Sequence, residues 1–321
     1  MMLKRVSSRM DLKSIVTYVI FVVVIGLDAL LTPNFFSGFV INTTFTNALP
    51  LLLVAVGQFF VVITSGIDLS VGGIVSIVNV YVAVHLSRGI LSTAEVVGLS
   101  MILGLLAGLI NGILVAYARI QPILVTLSTL SIYSGVALLI LPAPGGNVPP
   151  GFAAFLTGQV LGVPVALWVV LLLILFWLWL VHTPLWSQMV AVGSDEVAAR
   201  LNGVKVELLK VLAYMASGLL SALGGLYLAA QIASGDPTSG SEFVILSIAA
   251  IAIGGISLSG GRGTLIGALL GGLIVSVLNT LLFFAGVPTY YQNLIQGALL
   301  LITVGIISYR SLRFRILRGQ L

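Results

Sequence analysis

Charged side chains are concentrated in one stretch of an otherwise apolar chain, residues 182–210. Ser194 can cap a short helix there, and the carboxylates of Asp195 and Glu196 favour the positive end of its dipole. Arg200 favours the last turn, and Gly203 supplies a left-handed stop. The stretch therefore predicts one short, well-terminated helix outside the lipid. The chain has 14 basic and nine acidic side chains, and six of these charged residues lie in this stretch: Asp195, Glu196, Arg200, Lys205, Glu207 and Lys210.

The helix predicted within residues 182–210 has two possible roles. Val197, Ala198 and Leu201 recur at helical spacing, so this apolar face could sit in a groove while the charged face meets water or a partner. Alternatively, the helix is an ordinary solvated connector between two membrane spans. The residues themselves leave both interpretations open.

A second candidate is Asp68, which lies at a break in an apolar run and is surrounded by Gly66, Ser70, Gly72 and Gly73. A carboxylate at the centre of a membrane costs about 2.5–3.5 kcal/mol on insertion scales, and much less at an interface. Asp68 either lines or gates a pathway, or it caps the helix that follows.

Four amides fall inside apolar runs, where they must face other helices or water: Gln58, Asn79, Asn111 and Asn279. Each is a candidate for the wall of a translocation pathway. The competing interpretation is that the amides hold helices together, as polar side chains in membranes commonly do. Glycines at four-residue spacing, Gly104, Gly108 and Gly112, predict close helix packing, and so do Gly267 and Gly271.

Nothing in the sequence indicates catalysis or a cofactor. Residues 258–262 resemble the L-S-G-G-Q signature of ATP-binding cassettes, but no glycine precedes any lysine, so a phosphate-binding G-x-x-x-x-G-K loop is missing. The chain has no cysteine, and its two histidines, His85 and His182, are far apart, which argues against a metal site. No Ser-His-Asp or paired-carboxylate arrangement is convincing.

The composition, 59% hydrophobic and 7% charged, is that of a polytopic membrane protein. The apolar runs have helical length, so we expect an all-α integral membrane protein with about ten spans, some of them broken or short. We expect a single transmembrane domain over 1–321. The predicted spans are 15–31, 47–64, 68–86, 94–118, 122–141, 164–181, 208–230, 243–258, 264–284 and 290–308.

Ten spans that start from a cytoplasmic N-terminus leave Arg88 as the one basic residue outside. This strong positive-inside bias makes both termini and the 182–210 loop cytoplasmic. The basic residues lie at the ends of apolar runs, where lipid phosphate explains them better than nucleic acid does. Residues 66–73 are echoed by 255–262 after a span of the same direction, which suggests a parallel internal repeat.

Three segments together resemble the ribose-type, carbohydrate-uptake permease subunits of bacterial ABC importers. They are 64–72 (TSGIDLSVG), 191–203 (AVGSDEVAARLNG) and 253–264 (IGGISLSGGRGT), in this order along the chain. The resemblance implies a subunit of the bacterial inner membrane that works with separate ATPase subunits, a periplasmic or lipid-anchored sugar-binding protein, and a second permease copy or paralogue. It also implies that the 182–210 loop contacts the ATPase, through Ser194, Asp195, Glu196, Arg200, Asn202 and Gly203.

The expected function is therefore import of a sugar or similar small polyhydroxylated solute, driven by ATP hydrolysis in a partner. One alternative is an ABC permease for branched-chain amino acids or nucleosides. Another is an ion-driven secondary transporter, which should show ionisable residues deep in several spans, whereas Asp28 and Asp68 are the only spanning carboxylates.

Overall fold

The chain folds into an all-α membrane protein, and its described part contains one small β-hairpin. The computed structural model describes residues 12–298 except 33, 285, 289, 290, 292, 293 and 296. Strands β1 (Gln159–Val160) and β2 (Val163–Pro164) pair in antiparallel fashion. The helices are α1 (Leu12–Leu31), α2 (Gly38–Ile63), α3 (Val71–Arg88), α4 (Thr93–Ala116), α5 (Pro122–Ile140), α6 (Pro150–Thr157), α7 (Val165–Val181), α8 (Pro184–Ser194), α9 (Glu196–Leu201), α10 (Val206–Ile232), α11 (Ser241–Ile253) and α12 (Leu265–Phe284).

The predicted count of about ten spans is not confirmed. Six of the described helices are long and apolar enough to cross a membrane, and α7 with α8 makes a seventh candidate that is bent by 82°. Helix α11 has only 13 residues, or about 20 Å at 1.5 Å per residue, against a hydrocarbon core of about 30 Å. It ends at Ile253, earlier than the predicted 258, because Gly255 is left-handed with φ of 75°. The predicted span 290–308 lies mostly outside the described residues.

Helix α2 forms the centre of the bundle. Every residue from Ala48 to Ile63 is buried, which is the pattern of a helix surrounded by protein on all sides. Helices α10, α11 and α12 pack against it, and α10 in turn contacts α3 and α4. The helix starts at Gly38 rather than at the predicted 47, because the hydroxyl of Ser37 accepts a hydrogen bond from Val40 N (3.3 Å) and caps it.

Glycine packing joins α4 to α10 and α11 to α12, which confirms the prediction made from glycine spacing. A Cβ atom on Gly108 would lie 2.8 Å from the carbonyl carbon of Tyr214, and one on Gly112 would lie 2.8 Å from Val211 Cα. A Cβ on Gly271 would lie 2.9 Å from the carbonyl carbon of Ala250. These backbones touch directly, so a side chain at any of the three glycines must push two helices apart.

The echo between 66–73 and 255–262 has a local structural counterpart. Helices α2 and α11 both end in a left-handed residue, Ser65 (φ 61°) and Gly255 (φ 75°). The next amide then bonds back to a carbonyl of the last turn, Gly66 N to Val61 O at 3.0 Å and Ile256 N to Ile251 O at 3.1 Å. The sequence echo aligns Gly66 with Gly255, but in the structure the residue equivalent to Gly255 is Ser65. The wider parallel repeat stays a prediction.

The substitution Gly108→Ala should destabilise the protein, because the new methyl group meets the backbone of α10. We expect a loss of about 1–3 kcal/mol, as for other overpacked cores, seen as a lower apparent melting temperature of the purified chain in detergent. Gly98→Ala in the same helix is the matched control, since nothing lies within 4 Å of its Cβ position. Equal melting temperatures for the two variants would contradict the packing.

Candidate functional site

The segment between α7 and α10 contains two helices where the sequence predicted one. The chain bends by 82° after α7 and enters α8, whose first residue is Pro184. Asp195, not Ser194, caps α9: its backbone is extended (φ −160°, ψ 103°) and its carboxylate accepts from Ala198 N at 2.9 Å. Ser194 instead ends α8 and donates to Val190 O at 2.8 Å. The cap prediction was wrong by one residue, since Ser and Asp are equally good caps and the extended residue decides between them.

Asn202 and Gly203 end α9. The Asn202 amide side chain donates to Ala198 O at 2.8 Å, and Gly203 is left-handed with φ of 78°. Val204 N then bonds to Ala199 O at 3.1 Å, which satisfies a carbonyl of the last turn. The predicted left-handed stop at Gly203 is confirmed.

The charged face of α9 is held against α10. Glu196 accepts from Arg200 at 3.2 Å and from Lys210 at 2.6 Å, and Arg200 also pairs with Glu207. Burial raises the pKa of Glu196, but the hydrogen bonds and charges of Lys210 and Arg200 lower it by more, so its pKa lies below the ordinary value. The side chains of Glu196 and Arg200 remain 43% and 45% exposed, so this face meets water as expected. It also pairs within the chain, because Glu207 and Lys210 stand opposite it on α10.

The apolar face of α9 points outward as a result. The side chains of Val197 and Leu201 are 68% and 84% exposed, whereas Ala199 is buried against the body of the protein. Two large apolar side chains on a capped, ion-paired helix form a small rigid surface. We call Val197 and Leu201 the apolar tip.

The three segments that carry the family resemblance meet in space. Ser65 Oγ lies 2.9 Å from Gly193 O and 3.0 Å from Ser259 O, so its single proton is shared between two carbonyls. Gly261 N donates to Ile63 O, the end carbonyl of α2, at 3.0 Å. We call these contacts, of Ser65 with Gly193 and Ser259 and of Ile63 with Gly261, the junction. It ties α8 to the end of α2 and to the loop between α11 and α12.

Sequence reasoning missed Ser65 as a functional candidate. The available signal was glycine: a Cβ on Gly193 would overlap Ile63 O, and one on Gly261 would lie 2.9 Å from Ser194 Cα. Gly193 and Gly261 belong to two separate motifs, and glycine at both positions is the sequence signal that two backbones approach closely at this end of the bundle.

Asp68 and Asn111 are brought together in the interior. Asp68 is fully buried and accepts from Ser70 N (2.9 Å), Ser70 Oγ (2.6 Å) and Ser217 Oγ of α10 (2.8 Å). Asn111 of α4 donates to the same Ser70 hydroxyl at 2.7 Å. The group therefore ties the start of α3 to α4 and α10, and a role in a pathway stays a prediction for both residues.

The other three amides lie apart from this group. Gln58 is fully buried in α2, and neither end of its amide has a hydrogen-bond partner among the described residues. Asn79 accepts from Asp236 N at 2.7 Å and holds the loop before α11. Asn279 lines a cleft between α2, α11 and α12, together with Asn47, which sequence reasoning also missed. A pathway role remains a prediction for each amide.

The substitution Lys210→Gln should loosen α9, because it removes the ion pair with Glu196. Exposed ion pairs contribute about 0.2–1 kcal/mol, so amide hydrogen exchange in 196–201 should become up to about fivefold faster. Lys205→Gln is the control, since Lys205 makes no ion pair within the described part of the chain. Equal exchange in both variants would show that the pair does not hold the helix.

The family described as "Branched-chain amino acid transport system / permease component" matches residues 40–304. The ribose import permease protein of Bacillus subtilis (strain 168) is 37% identical over 256 residues, 78% of this chain and 79% of that protein. The corresponding protein of Escherichia coli (strain K12) is 33% identical over 307 residues, 92% of each chain.

An autoinducer 2 import system permease protein of Yersinia pestis (strain Pestoides F) is 34% identical over 283 residues, 86% of this chain and 79% of that protein. No solved structure matches. The family match covers most of the chain, and the relatives are named as permease proteins of import systems. The chain therefore belongs to this family of transport-system permease components, and it is a transport subunit rather than an enzyme.

Proposed function

We propose that the chain is the membrane subunit of an ABC importer that moves a sugar or similar small polyhydroxylated solute across the bacterial inner membrane. The relatives named for ribose and autoinducer 2 support this substrate class. The observation that carries the proposal is α9, a capped helix whose charges pair with α10 and whose apolar tip is exposed. Such a helix suits an ATPase groove, because only a rigid element can transmit the motion of a partner.

The proposed partners are two ATPase subunits, a periplasmic or lipid-anchored sugar-binding protein, and a second permease copy or paralogue that completes a dimer, all in membrane lipid. The ATPase would contact the apolar tip and the coupling residues around it, Ser194, Asp195, Glu196, Arg200, Asn202 and Gly203. Glu196 and Arg200 would act in two ways: their exposed parts can reach the ATPase, and their ion pairs fix α9 on α10.

The proposed topology puts α9, the junction and both termini in the cytoplasm. Basic residues near this end of the bundle support it: Arg119 acts electrostatically on Glu207, and Arg262 lies in the junction loop, where its backbone carbonyl accepts from Ser257 N. Arg88 is the last residue of α3. The first residue of that helix, Val71, follows shortly after Ser65 of the junction, so Arg88 lies at the opposite end of the helix. This distribution follows the positive-inside rule.

The proposed coupling runs from the ATPase through α9 and α8 to the junction. Movement of α8 would pull on Gly193, and the Ser65 hydroxyl would carry that displacement to the loop between α11 and α12. Both of those helices line the cleft that contains Asn279. Force applied at the apolar tip would thus change the cleft at the far end of the same helices.

A permease for branched-chain amino acids is the second candidate, and the description of the family itself favours it. Reconstitution separates the two. The chain would be purified with the ATPase subunits encoded beside it, placed in liposomes, and supplied with the neighbouring binding protein and either labelled ribose or labelled leucine. ATP-dependent uptake of ribose alone supports the sugar importer, uptake of leucine alone supports the alternative, and failure of any ATPase to associate contradicts both.

The substitution Leu201→Asp should weaken ATPase binding at least about tenfold, because a carboxylate replaces a central apolar anchor. Affinity would be measured by titrating purified ATPase against the chain in nanodiscs. Leu161→Asp is the matched control, since Leu161 is 89% exposed but lies in the β1–β2 turn, distant from α9 in the proposed topology. If both variants bind like the parent, the apolar tip is not the docking element.

The substitution Ser65→Ala should uncouple transport from ATP hydrolysis, because it removes the shared hydrogen bond while leaving α9 intact. We expect ATPase binding and turnover to persist while solute moved per ATP falls severalfold in proteoliposomes. Ser187→Ala is the control: that hydroxyl is exposed and bonds only to Pro184 O of its own helix. An unchanged ratio of uptake to hydrolysis in Ser65→Ala would remove the junction from the mechanism.

A further inference from the structure

A cleft of about 770 Å³ opens at the end of the bundle opposite the junction. Helices α2, α10, α11 and α12 and the loop before α11 form its walls, and its volume falls within the range of about 300–1,000 Å³ found for small-molecule sites. The residues that matter here are Asn47, Asp236, Glu242, Ser276, Asn279 and Thr280. We call this the polar cleft.

A second cavity of about 340 Å³ continues the polar cleft towards α1. Both are lined by Asn47, Asn279 and Thr280, and the second adds Asp28 and Thr32. Amides and hydroxyls thus follow one another along a shared wall between otherwise apolar helices. A polyhydroxylated solute could exchange its hydrogen bonds with water for hydrogen bonds with this wall.

Ser276 contributes a hydroxyl to the same wall. The residue is only 9% exposed and lines the cleft. Its oxygen is not one of the sealed, unpartnered polar atoms of the described residues, so it faces the open space of the cleft. A ligand hydroxyl or water there can hydrogen-bond to it.

The charges of the two connected cavities are all negative. Their lining residues in the described part of the chain include Asp28, Asp236 and Glu242, but no Lys or Arg. Asp28 accepts from Thr32 Oγ1 at 2.7 Å, and Asp236 accepts from Thr238 N and Oγ1 at 2.8 and 2.7 Å. Those partners are neutral, and no Lys or Arg of the described residues lines either cavity to cancel the charge. A cleft with low-dielectric walls and one sign of charge focuses its field on an entering solute.

We propose that the polar cleft is a solute-binding section of the translocation path that takes uncharged polyhydroxylated molecules, and that its carboxylates repel anionic ones such as sugar phosphates and sugar acids. This inference rests on the proposed function and narrows its substrate class. Hydroxyls donate to carboxylate and amide oxygens and accept from amide and hydroxyl groups, so a neutral sugar satisfies this wall. A phosphate finds no Lys or Arg among the described residues of this wall.

The absence of cysteine in the chain makes a direct test simple. Thr280→Cys would be introduced in the full-length chain in intact spheroplasts and reacted with methanethiosulfonates that carry either a trimethylammonium or a sulfonate group. After normalisation to the same pair of reagents at Leu161→Cys, an exposed turn outside the cleft, the cationic reagent should react about tenfold faster at position 280. Adding Glu242→Gln should lower that preference severalfold without changing the Leu161→Cys reference.

Solute protection tests the second half of the inference. Excess ribose should slow labelling of Thr280→Cys, whereas ribose 5-phosphate at equal concentration should not. Equal protection by both compounds, or by neither, overturns the assignment of the cleft to neutral polyhydroxylated solutes. Equal rates for the two reagents, or no labelling at 280 while position 161 reacts, overturns its electronegative, outward-open character.

Labelling requires no ATPase, so the cleft assignment can be tested independently of the proposed function. A chain that shows charge preference and ribose protection but binds no ATPase would contradict the proposed function and leave the cleft assignment standing. A chain that imports ribose with ATP but shows neither effect at position 280 would contradict the cleft assignment alone.

Discussion

Three distant parts of the chain meet at the junction: the end of α2, the end of α8 and the loop between α11 and α12. The Ser65 hydroxyl bonds to the other two parts, and Gly193 allows the close approach because it has no side chain. Helix α2 ends at Ile63 with a carbonyl that has no partner in its own helix, and Gly261 N supplies one at 3.0 Å. Any side chain at position 193 would overlap that carbonyl. The arrangement of α8, and with it the orientation of α9, depends on this close approach, so α9 is anchored at one side by the junction and at the other by its ion pairs to α10.

The interior polar group plays a different role from the junction. Burying Asp68 in the membrane would cost about 2.5–3.5 kcal/mol on insertion scales. Three hydrogen bonds to that carboxylate, from Ser70 N, Ser70 Oγ and Ser217 Oγ, each contribute about 1.5–3 kcal/mol and oppose this cost. Asp68 thus fits as a tie between α3 and α10 without any need for a solute. The polar cleft, whose carboxylates have neutral partners and open space beside them, has the character expected of a pathway.

Sequence reasoning succeeds where a feature depends on local spacing. Helical apolar runs, the glycine contacts of α4 with α10 and the left-handed Gly203 all follow from neighbouring residues. It fails where the deciding partner is distant in the chain. The ion pairs of Glu196 and Arg200 depend on Glu207 and Lys210 of the next long helix, and the role of Ser65 is set by carbonyls more than a hundred residues away. The shared wall of Asn47 and Asn279 is likewise a product of tertiary packing alone.

The measurement that tests the coupling account most directly is hydrogen exchange of the whole importer, compared between the free chain, its ATPase complex without nucleotide, and the complex with ATP. The account predicts protection of 184–203 when the ATPase binds. It also predicts a further ATP-dependent change in 64–70 and 254–264, the two segments that meet α8 at the junction. Protection confined to other cytoplasmic segments, or an ATP response that leaves 64–70 and 254–264 unchanged, would contradict it.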